Sequence, residues 1–259
     1  MRRATTQESI LIEGLKELSL SPSDDQVRAF ITYLNELKRW NRAYNLTGLR
    51  SDEEIIVKHF LDSLLYLEGL PDGKISVMDV GSGAGFPGIP LKIMRPEIMM
   101  YLLEPSRKKS NFLIHIIKTL GLDNIEVIEK RIEEARSLIV DAAVTRALFD
   151  VAGFYKKTLP HLREGGRLIL NKGPKVAEEL NRMKGLKYEL LPLKLPVSSI
   201  KRFIVIIKKE ASGETDRKDN HRFVTQGDTV PNVCVNLECR LRKAGCRGFE
   251  GCPGYKARS

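Results

Sequence analysis

Apolar residues recur along this chain at two different periods. Between Asp25 and Trp40, the residues Val27, Phe30, Ile31, Leu34 and Leu37 fall at the three- and four-residue spacing of one helical face. A second helix is predicted to begin near Ser51, where Glu54 three positions on completes a capping-box pattern. Residues 1–70 therefore read as an N-terminal helical layer. From Ile75 the period changes: short β-prone runs at 75–80, 98–103, 125–129, 141–145 and 167–171 alternate with helical stretches such as Lys108 to Leu120. This is the rhythm of a doubly wound parallel sheet with helices on its faces. Two last strands, at 187–193 and 202–208, are joined by a Pro-containing connection too short for a crossover helix, so they are expected to pair antiparallel. The expectation is an α/β fold with seven strands over residues 71–210.

The pattern stops near Lys209. From Ala211 to about Gln226 the chain is polar and charged, and residues 211–233 read as a flexible linker. All four cysteines, Cys234, Cys239, Cys246 and Cys252, follow it, and none occurs in the first 233 residues. Thiols clustered in this way in a reducing compartment point to a metal site before a disulfide framework. Their C-x4-C-x6-C-x5-C spacing lacks the C-x2-C pairs of common zinc ribbons, so it supports four-thiolate coordination without naming the metal. Zinc is the first choice and an iron–sulfur cluster the second, encouraged by Cys252-Pro253; free thiols in a disordered tail are the third. Residues 234–259 carry six basic and two acidic side chains with Phe249 and Tyr255, which would suit a metal-held knuckle that grips RNA.

Composition narrows the class. No apolar run approaches the roughly 18 residues of a membrane span, and Met1-Arg2-Arg3 is followed by polar residues rather than an apolar signal core, so the expectation is a cytoplasmic, monomeric protein with no membrane contact. The 43 basic against 33 acidic residues leave a net charge of +10, of which +7 belongs to residues 1–210. Such an excess favours a polyanionic partner, although a basic surface can also serve solubility alone.

Candidate chemistry centres on Asp79-Val80-Gly81-Ser82-Gly83-Ala84-Gly85-Phe86-Pro87-Gly88, between a predicted strand and a helix. Gly83 to Gly88 spell the dinucleotide fingerprint G-x-G-x-x-G, whereas the longer acidic-x-G-x-G-x-G is the first motif of S-adenosylmethionine-dependent methyltransferases. Asp79 would suit a cationic amino group and would repel a pyrophosphate. Glu104, ending the second strand, is placed for a ribose diol in either reading. With the antiparallel terminal pair, the weight falls on S-adenosylmethionine and a class I methyltransferase (Rossmann-like) sheet.

The inventory then restricts the methyl acceptor. The domain has no cysteine to activate a pyrimidine at C5, and no Asp/Asn-Pro-Pro-aromatic motif, the usual companion of exocyclic-amine methylation, follows the fourth strand, which ends Val144-Thr145-Arg146-Ala147-Leu148. A ring nitrogen such as guanine N7 has a lone pair and no proton to lose, so positioning suffices, and Arg146 is the residue placed to orient the base. Its alternative is to cap the strand or pair with Asp150.

Taken together, Asn-Leu-Thr-Gly-Leu-Arg at 45–50, Lys-His-Phe-Leu-Asp-Ser at 58–63, the glycine segment at 79–90, Leu-Leu-Glu-Pro-Ser-Arg-Lys-Lys at 102–109 and Thr-Arg-Ala at 145–147 resemble the RsmG (GidB) methyltransferases. The resemblance runs from about Asp25 to Lys209. It implies methylation of guanine N7 in the 530-loop region of bacterial 16S ribosomal RNA, with naked RNA or the small ribosomal subunit as partner. It also implies cofactor contacts at Asp79, Gly81, Gly83, Phe86, Glu104, Ile132, Glu133 and Arg146, with Arg146 at the transfer site, and RNA-facing places for Asn45, Arg50, His59 and Lys172. His59 and Asp62, three apart on one helical face, could equally form a surface pair. A second reading of the same residues is a non-catalytic RNA-binding or ribosome-assembly factor that keeps the fold.

Overall fold

A computed structural model describes residues 5–48, 51–146, 148–183 and 185–210. All belong to one structural unit, Met1–Thr215. Arg50, the 211–233 linker and the four cysteines lie outside the described residues.

The sheet alternates with helices in the order β1 (Ser76–Val80), α5 (Gly88–Met94), β2 (Met99–Leu103), α6 (Arg107–Leu120), β3 (Ile125–Ile128), β4 (Val140–Thr145), α7 (Val151–Thr158), β5 (Leu162–Lys172), α8 (Val176–Asn181), β6 (Glu189–Lys194) and β7 (Lys201–Lys208). Before it stand α1 (Thr6–Glu17), α2 (Asp24–Tyr44) and a continuous helical run made of α3 (Asp52–Ile55), a π-helical turn (Ile56–Leu61) and α4 (Asp62–Leu64). The spatial order is β3-β2-β1-β4-β5-β7-β6. The first five strands are mutually parallel and β7 runs antiparallel to both β5 and β6, so the seven strands and the terminal antiparallel pair are found as the alternation predicts. The fifth strand is longer than its apolar run, because Gly165, with φ +74°, lets the polar stretch from Leu162 join the ladder ahead of residue 167.

Alternation along the strands sorts the core into two layers. Val77, Ala142, Val144, Ile169, Ile204 and Ile206 face the N-terminal helices and α5–α6, packing with Leu11, Phe30, Leu34, Phe60, Ile89 and Phe112. Met78, Val80, Ala143, Leu168, Leu170, Val205 and Ile207 face α7 and α8 through Val151, Phe154, Val176 and Leu180. The helical layer is thus half of the main core. Helix α1 is an element that the spacing argument missed; its signals are Thr5 and Glu8, which form a complete capping box, and the buried Leu11 and Leu15 four residues apart. Gly14 is required where α1 crosses the π-helical turn, since a Cβ there would stand 2.1 Å from Leu61 Cδ1. None of the described helices is long and apolar enough to cross a membrane.

Candidate active site

The C-terminal ends of β1, β2 and β4 meet where the strand order reverses direction, the place where open α/β sheets bind ligands. Each contributes its next residue: Gly81 after β1, Glu104 after β2 and Arg146 after β4.

The glycine loop is held mostly by backbone bonds. The N–H groups of Gly81 and Ser82 donate to Leu103 O at 2.8 and 3.0 Å, and those of Gly85 and Phe86 donate to Ser82 O at 2.7 and 2.9 Å. Gly81, Gly83 and Gly85 all take positive φ. A Cβ on Gly83 would find only Gly81 O, at 3.9 Å, so the backbone there is open to a ligand, whereas one on Gly81 would meet Leu148 Cδ2 at 2.3 Å. The Glu104 carboxylate accepts Gly83 N–H at 2.8 Å and Ser106 N–H at 2.9 Å, tying the ends of β1 and β2 together. Below the loop Asp79 is fully buried; its Oδ2 accepts Gly88 N–H at 2.9 Å, and its Oδ1 has no hydrogen-bond partner. Burial in this setting pushes the Asp79 carboxyl up to about 7. Tyr33 of α2 donates its hydroxyl to Ala84 O and stacks on Phe86, with centroids 5.4 Å apart.

Side chains hold the opposite wall. Arg146 Nη1 donates to His59 Nδ1 at 2.7 Å and to Lys58 O at 3.0 Å, and its guanidinium carbon stands 4.9 Å from the Phe86 ring centroid. His59 stacks on the other neighbour of that arginine, the Phe86 ring, at 4.5 Å and 21°. Because Nδ1 accepts from a guanidinium, the ring proton belongs on Nε2, 2.7 Å from Thr47 Oγ1. Burial and the Arg146 charge push the imidazole down to about 3, so His59 is neutral at physiological pH. Together Leu46, Thr47, His59, Gly81–Ala84, Phe86 and Arg146 line a cavity of about 150 Å³.

This wall crosses from the N-terminal layer to the sheet, and a family model covers both. The model described as GidB, rRNA small subunit methyltransferase G, matches residues 26–201. The chain belongs to this family. Curated relatives named ribosomal RNA small subunit methyltransferase G include that of Pelotomaculum thermopropionicum, 40% identical over 220 residues (80% of this chain and 91% of that one). That of Acetivibrio thermocellus is 37% identical over 211 residues, covering 77% and 87%. A solved methyltransferase from Pyrococcus furiosus, 14% identical, superposes with a TM-score of 0.51 over 69% of this chain and 96% of its own, in keeping with a class I methyltransferase fold.

Within this methyltransferase G family member, the structure brings Gly81, Gly83, Phe86, Glu104, His59 and Arg146 to one place, with Asp79 directly beneath. Asn45 lies beside it as the exposed, left-handed cap of α2, one residue before Leu46. Three predicted residues lie apart from this cavity. Ile132 is buried in the second core layer, the Glu133 carboxylate is bound by Lys157 on the wall of a separate cavity, and Lys172 Nζ is held by Phe149 O at 2.7 Å and Glu179 at 3.0 Å. His59 and Asp62 are no surface pair: both are buried and turn to different partners, Asp62 to Arg202 Nε at 2.6 Å and to Asn171. Nor does Arg146 pair with Asp150, whose carboxylate caps α7 by accepting Gly153 N–H. Sequence reasoning missed Thr47 and Leu46, although both lie inside the 45–50 motif. Among the described residues no group of three or more His, Cys, Asp or Glu could hold a metal, and the predicted cysteine ligands lie outside them.

Proposed function

We propose that this protein transfers a methyl group from S-adenosylmethionine to N7 of a guanine in 16S ribosomal RNA, in the 530-loop region of the small subunit. Membership in an rRNA small subunit methyltransferase family supports the reaction class and the RNA. The observation that carries the atom is that, among the described side chains lining the cavity, none is placed to accept a proton. Its polar side chains are Thr47, His59, Ser82 and Arg146. His59 is pushed down to about 3 and its free lone pair is spent on Arg146, so among the described lining side chains none serves as a base at neutral pH. Exocyclic amines and ribose hydroxyls must lose one on methylation. Guanine N7 does not: its lone pair forms the new N–C bond, the methyl–sulfur pair returns to sulfur, and the positive charge moves to the purine.

The chain's residues fit the donor. The open backbone at Gly83 gives it room, Glu104 offers carboxylate lone pairs for ribose hydroxyls beyond its two backbone bonds, and beneath the loop the buried Asp79 carboxyl keeps one oxygen without a hydrogen-bond partner. S-adenosylmethionine would bring an activated methyl group that needs no acid or base to leave. Arg146, fixed by His59 and Lys58, would orient the guanine, whose O6 is an arginine acceptor.

Incubating the protein with methyl-labelled S-adenosylmethionine and small subunits or naked 16S RNA, followed by nucleoside digestion, is expected to place the label in 7-methylguanosine. Label in any other nucleoside, or none with a protein that binds the donor, overturns the proposal.

A further inference from the structure

Helix α2 ends where α6 begins, and an aromatic cluster stands between them. Tyr44, the last residue of α2, is 44% exposed. Its ring leans on Trp40, with centroids 5.4 Å apart. Trp40 is in turn fixed edge-on to Phe112 at 5.5 Å and against His115 at 5.1 Å, and His115 is anchored by Glu36 at 2.6 Å. Lys108 Nζ hangs 5.6 Å from the Tyr44 ring centroid. The last turn of α2 and the first turn of α6 also carry exposed Arg42, Arg107 and Lys108 and half-buried Lys109, none of which forms an ion pair among the described residues. Three residues after Tyr44 comes Thr47 of the cavity wall, so the two Cα atoms lie within about 11 Å.

We propose that Tyr44, backed by Trp40, is a stacking platform for an unpaired base of the RNA next to the nucleotide in the cavity, with Lys108 meeting that nucleotide's phosphate. An exposed aromatic face braced from behind, with the Lys108 ammonium beside it and further cations on the same two helix ends, matches the two surfaces of a single-stranded nucleotide, its base and its phosphate. The contact of an exposed lysine with an aromatic ring is weak beside base stacking, so a base can displace Lys108 from the ring at little cost. This inference rests on the RNA substrate proposed above and adds where a neighbouring base goes.

Trp40 is the one tryptophan in the chain, which makes the platform its own reporter. Titrating the full protein with a single-stranded oligonucleotide of the 530-loop sequence, without methyl donor, is expected to change Trp40 emission. Tyr44→Ala should abolish that change and raise KM for the RNA about ten-fold, with kcat and donor affinity within two-fold of wild type, and Tyr44→Phe should restore both. Lys108→Ala should lower the slope of log affinity against log salt by about 0.7. Unaltered KM in Tyr44→Ala, or RNA binding that leaves Trp40 emission unmoved, overturns the platform. Because emission is read without donor, a protein that methylates nothing but responds through Trp40 fails the proposed reaction and keeps the platform, and the reverse result does the opposite.

Discussion

The two walls of the cavity are built by different means. The glycine wall is held mostly by backbone bonds within residues 79–88 and to the neighbouring strand, supplemented by the Asp79, Glu104 and Tyr33 side chains, and most of its features follow from local sequence. The arginine wall is held by side chains that meet from distant segments: Thr47 from the loop after α2, His59 from the π-helical turn and Arg146 from the end of β4, 87 positions beyond His59. The first wall shapes a ligand site wherever the motif occurs. The second assigns chemistry, since it decides which groups near the donor carry charge and which can take a proton.

The largest expected effect separates them by function. Arg146→Ala is expected to lower kcat about 10²- to 10³-fold, as the loss of one preorganised donor does elsewhere. His59→Ala should cost a comparable factor by releasing Arg146, and the double variant little more than either alone, because the pair acts as a unit. Additive losses in steady-state kinetics with small subunits would mean that the two residues act separately.

Next in size is a test of the backbone wall. A Cβ on Gly88 would stand 2.3 Å from Leu102 Cδ2 and 2.9 Å from Asp79 Oδ2. Gly88→Ala should therefore destabilise the fold by about 2 kcal/mol in denaturant unfolding, through overpacking and a disturbed Asp79 bond. An unchanged midpoint would show that the loop is not held by this close approach.

Smallest per step of the variable changed is a pH slope. Asp79 is raised in the folded state to about 7 from an ordinary 3.8, so the native state holds this proton where the unfolded chain does not. Its contribution is fully present below 3.8 and is lost as pH rises through about 7. The stability of wild type relative to Asp79→Asn should accordingly grow as pH falls from 7 towards 4, by no more than about 1.4 kcal/mol per unit. A difference independent of pH would mean that Asp79 stays ionised beneath the loop.

The same contrast explains what could be read in the sequence. Strands, the antiparallel end of the sheet and the glycine loop were legible because each depends on periodicity or on neighbours within about ten residues. Arg146 could be singled out from its place at a strand end, but its partner could not. A 3.6-residue period puts His59 and Asp62 on one face, while the wider π-helical turn at Ile56–Leu61 sends them to the cavity and to Arg202 respectively. For Lys172 and Glu133, nothing local signals the intramolecular partners that hold their charges.

Strand order has a consequence for how the chain can be assembled. Among the described residues the last strand in sequence, Lys201–Lys208, is not at the border of the sheet but sits between β5 and β6. Until it is synthesised and inserted, the eleven-residue Leu162–Lys172 strand presents one whole side of unpaired N–H and C=O groups, a template for pairing with another chain. A chain cut before Lys201 is thus expected to aggregate rather than to yield a smaller folded protein, and while residues 173–208 are being added the nascent chain carries this open strand side.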